Sequence, residues 1–170
     1  VIEGQNSITL ENATVEGNMS DTKGSSSDTN VHNVMIYQSM SGDAEVGKAA
    51  FTMTDGNLIS NNGDLIYVTN THAEINLTNV TIKNLDTEGR LLAVLGNDAS
   101  HGWGTAGANG ANVTMTTQNQ TLEGAIEVDT ISTLNLTLGK GTNFTGTIKI
   151  VDNADGGTAV ADNAVVTVEE

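Results

Sequence analysis

Short alternations of apolar and polar residues, broken by Asn, Gly and Asp corners, run the length of the chain. The pattern is fullest from Phe51 to Val94, FTMTDGNLISNNGDLIYVTNTHAEINLTNVTIKNLDTEGRLLAV, where it is stated twice. FTMTDGNLISN, a turn and DLIYV are followed by INLTNVTIKN, a turn and RLLAV. Alternation over a few residues predicts strands with one face inward, and little in the chain supports a helix. Phe51 precedes Ile75 by roughly two dozen residues, the length of one turn of a right-handed parallel β-helix, so the two units read as stacked rungs.

Laid over one another, the rungs give three strand columns. The first reads Ile8-Thr9-Leu10, Phe51-Thr52-Met53, Ile75-Asn76-Leu77, Val113-Thr114-Met115 and Leu134-Asn135-Leu136, with Val165-Val166-Thr167 as a further member. The outer residues of each triplet point inward and the middle one outward. The second column is Ala13-Thr14-Val15, Asn57-Leu58-Ile59, Val80-Thr81-Ile82, Thr121-Leu122 and Phe144-Thr145. The third is Met35-Ile36-Tyr37, Leu65-Ile66-Tyr67, Leu91-Leu92-Ala93, Ile126-Glu127-Val128 and Ile148-Lys149-Ile150. One rung alone leaves its apolar face and its backbone edges unpaired, and stacking supplies both partners. The expected fold is therefore all-β, a right-handed parallel β-helix (solenoid) of about five to six rungs, its hand set by the preference of parallel crossovers. Residues 1–170 form one domain, and strand-like VIEGQNSITL and AVVTVEE at the two ends suggest a piece of a longer surface protein.

Where the spacing stretches, the extra residues fall at corners: Gly17 to Asn33, Gly96 to Asn112 and Val151 to Asn163. Loops that leave a solenoid are free to carry function, because its strands are committed to stacking. The loop GNDASHGWGTAGANGAN at 96–112 holds the single tryptophan, Trp103, beside His101 and between Gly102 and Gly104. An indole framed by glycines can lie against a sugar ring, with Asp98, His101 and Asn109 bonding hydroxyls. The structural alternative folds Trp103 back over a corner of the stack.

Composition narrows the chemistry. Aromatics are only 3 % and Gly numbers 19, which suits strands joined by tight corners rather than an aromatic-rich core. A net charge of −15 argues against nucleic acid or an anionic membrane as partner and leaves calcium, cationic surfaces and neutral glycans open. Cysteine is absent, which removes disulfides and thiol chemistry. No apolar run is long enough for a membrane-spanning helix. Asn-X-Ser/Thr sequons at Asn12, Asn18, Asn76, Asn79, Asn112, Asn119, Asn135 and Asn143, several inside expected strands, point to a bacterial rather than a eukaryotic secreted chain.

Three further chemistries have some footing in the sequence. Asp21 with Asp28, Asp152 with Asp155, and Asp162 with Asn163 offer hard oxygen ligands for calcium, but neither the EF-hand spacing nor a GGxGxD repeat is present, so no metal site is assigned and solvated acidic corners explain them. The outward ladder Thr9, Thr52, Asn76, Thr114 and Asn135, beside Glu11, Thr54, Thr78, Thr116 and Thr137, forms a hydroxyl grid of the ice-binding kind, interrupted by Asn and Glu. For catalysis, Arg90 is the one arginine and sits beside Asp86 and Glu88 as an ordinary surface ion pair, while His32, His72 and His101 fall at three separate corners. No catalytic residue is assigned.

The corners LENATVEG, MTDGNLISNN and LTNVTIKN resemble the β-helix of pectin-lyase-like proteins, above all bacterial adhesins and autotransporter passengers. The run LLAVLGNDASHGWGTAGANGANVTM followed by IEVDTISTLNLTL resembles large cell-surface β-helix proteins of gut Firmicutes, some of them adhesin-like or carbohydrate-binding. The resemblance covers most of the chain after Phe51 and implies an extracellular, bacterial cell-surface location and binding of a host or plant glycan or of a surface protein. The catalytic signatures of the lyase and polygalacturonase relatives are not found, since HGWG at 101–104 does not match Gly-His-Gly. The expectation is a non-catalytic adhesion or carbohydrate-binding module with no obligate cofactor. A passive stalk is the alternative, ahead of a polysaccharide lyase or hydrolase and an ice-binding solenoid.

Overall fold

A computed structural model of the chain describes residues 1–18, 32–39, 47–97 and 105–170, and among them every regular element is a strand. In chain order these are β1 (Ile2–Glu3), β2 (Ser7–Gly17), β3 (His32–Tyr37), β4 (Ala49–Ser60), β5 (Asp64–Thr69), β6 (His72–Thr78) and β7 (Thr81–Asn84). They continue as β8 (Leu92–Leu95), β9 (Asn112–Gln118), β10 (Thr121–Asp129), β11 (Thr133–Leu138), β12 (Asn143–Val151) and β13 (Ala164–Val168). Two sheets result, β1-β3-β5-β8-β10-β12 and β13-β11-β9-β6-β4-β2, with β7 paired to β4. Every pairing is parallel. The chain passes from one sheet to the other and back, laying each return beside the last, an arrangement consistent with a solenoid.

One continuous core lies between the sheets. Phe51, Met53, Ile75, Leu77, Met115 and Leu136 enter it from one side and Ile36, Ile66, Leu92, Ile126 and Val128 from the other. Each such side chain contributes about 1.5–3 kcal/mol by leaving water. Strand β5 is buried at all six positions, Asp64 to Thr69, because other strands flank it and side chains cover both its faces. The last strand is the opposite case. Val165, Val166 and Val168 of β13 remain exposed, with β11 on one side of it only.

Register bears out some of the expected columns and corrects others. Ile8 pairs with Phe51, and Phe51 with Ile75, as the repeat requires. Ile75 then pairs with Met115 rather than Val113, a slip of two residues that keeps the same side chains inward. In the final rung Leu134 pairs with Ala164 and Leu136 with Val166, so the inward series is Ala164, Val166 and Val168 and the expected triplet starting at Val165 is one residue out. An odd slip reverses the face, so Thr167, expected inward, turns outward. In the second column Thr14 pairs with Asn57 and Val15 with Leu58, which moves that expected triplet by one as well.

The three expected columns also resolve into two sheets. Asn12, Asp55, Asn79 and Asn119 occupy equivalent corners with φ of 49°, 57°, 54° and 47°, left-handed values that short polar side chains tolerate. In the early rungs the ladder continues through this corner, so the second column belongs to the long strands β2 and β4, with β7 alongside β4. In the later rungs the same column is instead the first half of β10 and β12, in the other sheet. Gly124 permits the bend within β10. Its φ is 126°, and Gly146 packs so closely on it that an added Cβ would lie 1.9 Å from the Gly124 carbonyl oxygen.

Candidate functional site

Of the residues expected to bind ligand, Trp103, His101 and Asp98 lie outside the described residues, as do Asp21 and Asp28. Asn109 is described, and its surroundings are informative. The Asn109 carbonyl accepts the Asn97 N–H at 2.8 Å, the Asn97 carbonyl accepts the Gly107 N–H at 2.7 Å, and Asn97 Nδ2 donates to the Thr105 carbonyl at 3.1 Å. Below them the buried Asp129 carboxylate accepts the Gly96 N–H at 2.7 Å and Asn153 Nδ2 at 2.9 Å. Buried polar groups are retained where they bond, and these hold the two ends of the 96–112 loop to the stack.

Beside that base lies a cleft of about 410 Å³ lined by His72, Asn109, Asn112, Ile131, Thr158 and Val160, among others. Its polar side chains are braced against each other. Asn112 Nδ2 lies 3.3 Å from His72 Nε2, and the Thr133 hydroxyl donates to Asn112 Oδ1 at 2.8 Å. Two loops therefore converge on it, the expected binding loop and the third inserted segment, whose Gly157 packs against Gly107. His72 and Thr158 were not expected here. No motif links them, and only the pairing of β6 with β9 brings His72 opposite Asn112.

The described acidic corners do not gather into one site. Asp152, Asp155 and Asp162 are exposed. Asn163 spends its amide on the carbonyls of Asp129, Thr130 and Ser132, at 3.3, 3.1 and 2.8 Å. Among the described residues no three acidic or histidine side chains gather to hold a metal ion.

A charged stack sits on the opposite sheet. Arg90 grips Asp64 through Nε at 2.9 Å and Nη2 at 2.7 Å, and reaches Glu127 through Nη1 at 2.9 Å. His32 Nδ1 lies 3.3 Å from Asp64 Oδ2, with its ring stacked on Tyr67 at 4.0 Å. Burial alone would raise the Asp64 pKa, but hydrogen bonds from His32 and Arg90 and the Arg90 charge outweigh it and hold the carboxyl at about 2. Burial likewise opposes the Arg90 charge, and the bonds to Asp64 and Glu127 override it and raise its pKa. The expected pairing of Arg90 with Asp86 and Glu88 is thus corrected. Its partners come from the rungs on either side, and Asp86 instead accepts the N–H groups of Gly63 at 2.7 Å and Glu88 at 2.9 Å. Fully committed in this way, Arg90 serves to clamp three rungs together.

The outward threonine ladder is more regular than expected. The two-residue register change aligns Thr9, Thr52, Asn76, Thr116, Thr137 and Thr167 in one file. The file expected to run through Thr114 and Asn135 continues instead to Glu74 and Val165. No family model, curated protein or solved structure matches this chain.

Proposed function

We propose that the chain is a right-handed parallel β-helix module of a bacterial cell-surface protein, pectin-lyase-like in type, that binds a glycan without cleaving it. The observation that carries this reading is the open cleft at the base of the 96–112 loop, whose rim offers His72, Asn109, Asn112 and Thr158 beside the apolar Ile131 and Val160. Polar groups that fix hydroxyls around a small apolar floor are what sugar recognition uses. Trp103, His101 and Asp98 belong in sequence to the same 96–112 segment as Asn109 and Asn112. The right-handed sense is part of this proposal and rests on the general preference of parallel crossover connections.

The test is a glycan array and polysaccharide pull-down with the chain, Trp103→Ala and His72→Ala, each with calcium and with chelator. Retention of a glycan that falls at least tenfold in both variants supports the reading, and sensitivity to chelator adds calcium to the site. Binding that neither variant weakens removes the site, and the absence of any glycan binding returns the chain to a passive stalk.

One observation favours a second reading. The file from Thr9 to Thr167, broken only by Asn76, presents a regular row of hydroxyls and methyls of the kind that orders water at an ice surface. Thermal hysteresis lost in Thr116→Tyr would support it, and none in the parent chain would dismiss it.

A further inference from the structure

Between β7 and β10 the ladder is interrupted. The two rungs are in direct contact at one end, where the Asn79 N–H donates to the Gln118 carbonyl at 3.1 Å, and again at the other, where the Leu91 N–H donates to the Ala125 carbonyl at 2.8 Å. Between those bonds one side of the chain spans residues 80–90 and the other only 119–124, and no pairing joins β7 to β10. The longer side bows away. A cleft of about 390 Å³ opens between Thr81–Asn84 and Asn119–Glu123, and a second of about 350 Å³ continues from it past Glu88 and Arg90.

At the closed end the gap is bridged by one side chain. Gln120, 1 % exposed, accepts the Val80 N–H on Oε1 at 2.9 Å and donates from Nε2 to the Val80 carbonyl at 2.6 Å. The same Nε2 lies 3.3 Å from the carbonyl of Thr121. A primary amide here does what the peptide group of an intervening strand would do, taking both groups of Val80 on one side and touching β10 on the other.

Further along the seam none of the described residues plays that part. Successive residues of a strand direct their N–H and C=O groups to opposite sides. Leu85 donates to Ser60, so Thr81 and Lys83 face β4 while Ile82 and Asn84 face the cleft. Asn143 donates to Gln120 and Leu91 to Ala125, so Thr121 and Glu123 face the cleft from the far wall. Two unpaired edges thus oppose each other across one gap. A strand edge of this kind pairs readily with an added chain.

We propose that this seam accepts an extended cationic peptide as an added parallel or antiparallel strand, continuing the line that the Gln120 amide begins. Alternate side chains of such a strand would meet Val80 and Ile82 on the core side and Thr81 and Thr121 on the outer side, which asks for apolar and polar residues in alternation. Charge selects the sign. Glu123, Asp86 and Glu88 stand on the rim against Lys83, and Arg90 is already held by Asp64 and Glu127. This site is separate from the glycan cleft beside Asn109, and neither depends on the other.

The probe is a synthetic hexapeptide of alternating threonine and valine flanked by lysines, titrated by fluorescence anisotropy and mapped by amide hydrogen exchange. The expected result is binding that slows exchange at Ile82, Asn84, Thr121 and Glu123. It should weaken at least tenfold when alternate peptide amides are N-methylated, and several-fold with glutamates in place of the lysines or in the exposed variant Glu123→Lys. Equal binding of the N-methylated peptide, protection elsewhere, or no binding to the folded chain overturns the proposal. A neutral oligosaccharide that protects the same four amides where the peptide does not makes the seam a sugar groove, and overturns it too.

Discussion

The charged stack of His32 on β3, Asp64 on β5, Arg90 just ahead of β8 and Glu127 on β10, and the open seam between β7 and β10, are two answers to the same problem, how one rung meets the next. At the stack the backbones pair in register, Ile66 with Leu92 and Ile126 with Leu92, and the guanidinium of Arg90, just ahead of that pairing, spans the neighbouring rungs. At the seam the two paths differ in length, the ladder fails, and the Gln120 amide substitutes for backbone at one point only. Polar side chains in this molecule therefore reinforce pairing where it exists and imitate it where it does not. Closure is decided by chain length between corners, and side-chain chemistry follows.

The largest effect expected from breaking this contrast is at the stack. Asp64→Ala leaves Arg90 with Glu127 alone and removes the carboxylate beside the buried His32. Losing one partner of a buried pair costs about 3–5 kcal/mol. Urea denaturation should place the variant lower in stability by that amount, and a change under about 1 kcal/mol would mean that the stack is solvated rather than structural.

At the seam, Gln120→Leu strips both groups of Val80 of their partner at a buried position. An orphaned buried group costs about 1–3 kcal/mol, and the adjoining cleft lets water reach part of the site, so a total of about 3 kcal/mol is expected. The same variant should speed hydrogen exchange at the Val80 amide and leave that of Ile126 unchanged. Equal acceleration at both would show that the bridge stabilises the whole stack and not the seam.

Acid separates the two regions again. The Asp64 pKa is lowered on folding, from 3.8 to about 2, so its contribution is complete above the unfolded value and is lost as pH falls through the folded one. That amounts to on the order of 2 kcal/mol. The stability difference between the chain and Asp64→Asn should shrink between pH 4 and 2, while that between the chain and Gln120→Leu, which involves no titrating group, should hold constant.

Much of the closed part was legible in the sequence. The alternation around Phe51 and Ile75 fixes which side chains face inward, and a two-residue error at Met115 leaves that assignment intact. The expected triplet from Val165 to Thr167 puts Thr167 inward, whereas pairing with Thr137 places it in the outward file, and the valines on either side of it suit both faces equally. Neither the stack nor the seam could be read. Arg90 stands beside Asp86 and Glu88 in sequence but bonds residues twenty-six and thirty-seven positions away, and Gln120 reaches Val80 forty positions back. Of the cleft lining, Asn109 belongs to a loop that stands out in the sequence, whereas His72 and Thr158 enter only because strands and loops remote in sequence converge there.

The smallest expected effect in free energy is also the most direct reading of the contrast, because it lies within one strand. In β10 the Leu122 amide lies in the ladder to β12, and Glu127 lies where β8 and β12 flank the strand, whereas the amides of Thr121 and Glu123 face the cleft. An amide protected by a ladder exchanges only when the ladder opens, and one facing solvent exchanges without that step. The amides of Thr121 and Glu123 should therefore exchange at least a hundredfold faster than those of Leu122 and Glu127. Thr121→Pro, which removes an N–H with no ladder partner, should cost no more than about 1 kcal/mol, as for an edge strand, whereas Leu122→Pro should cost about 3 kcal/mol or more. Uniform protection along β10, or equal penalties at the two prolines, would mean that the seam is closed in solution and that β7 and β10 pair like every other neighbouring rung.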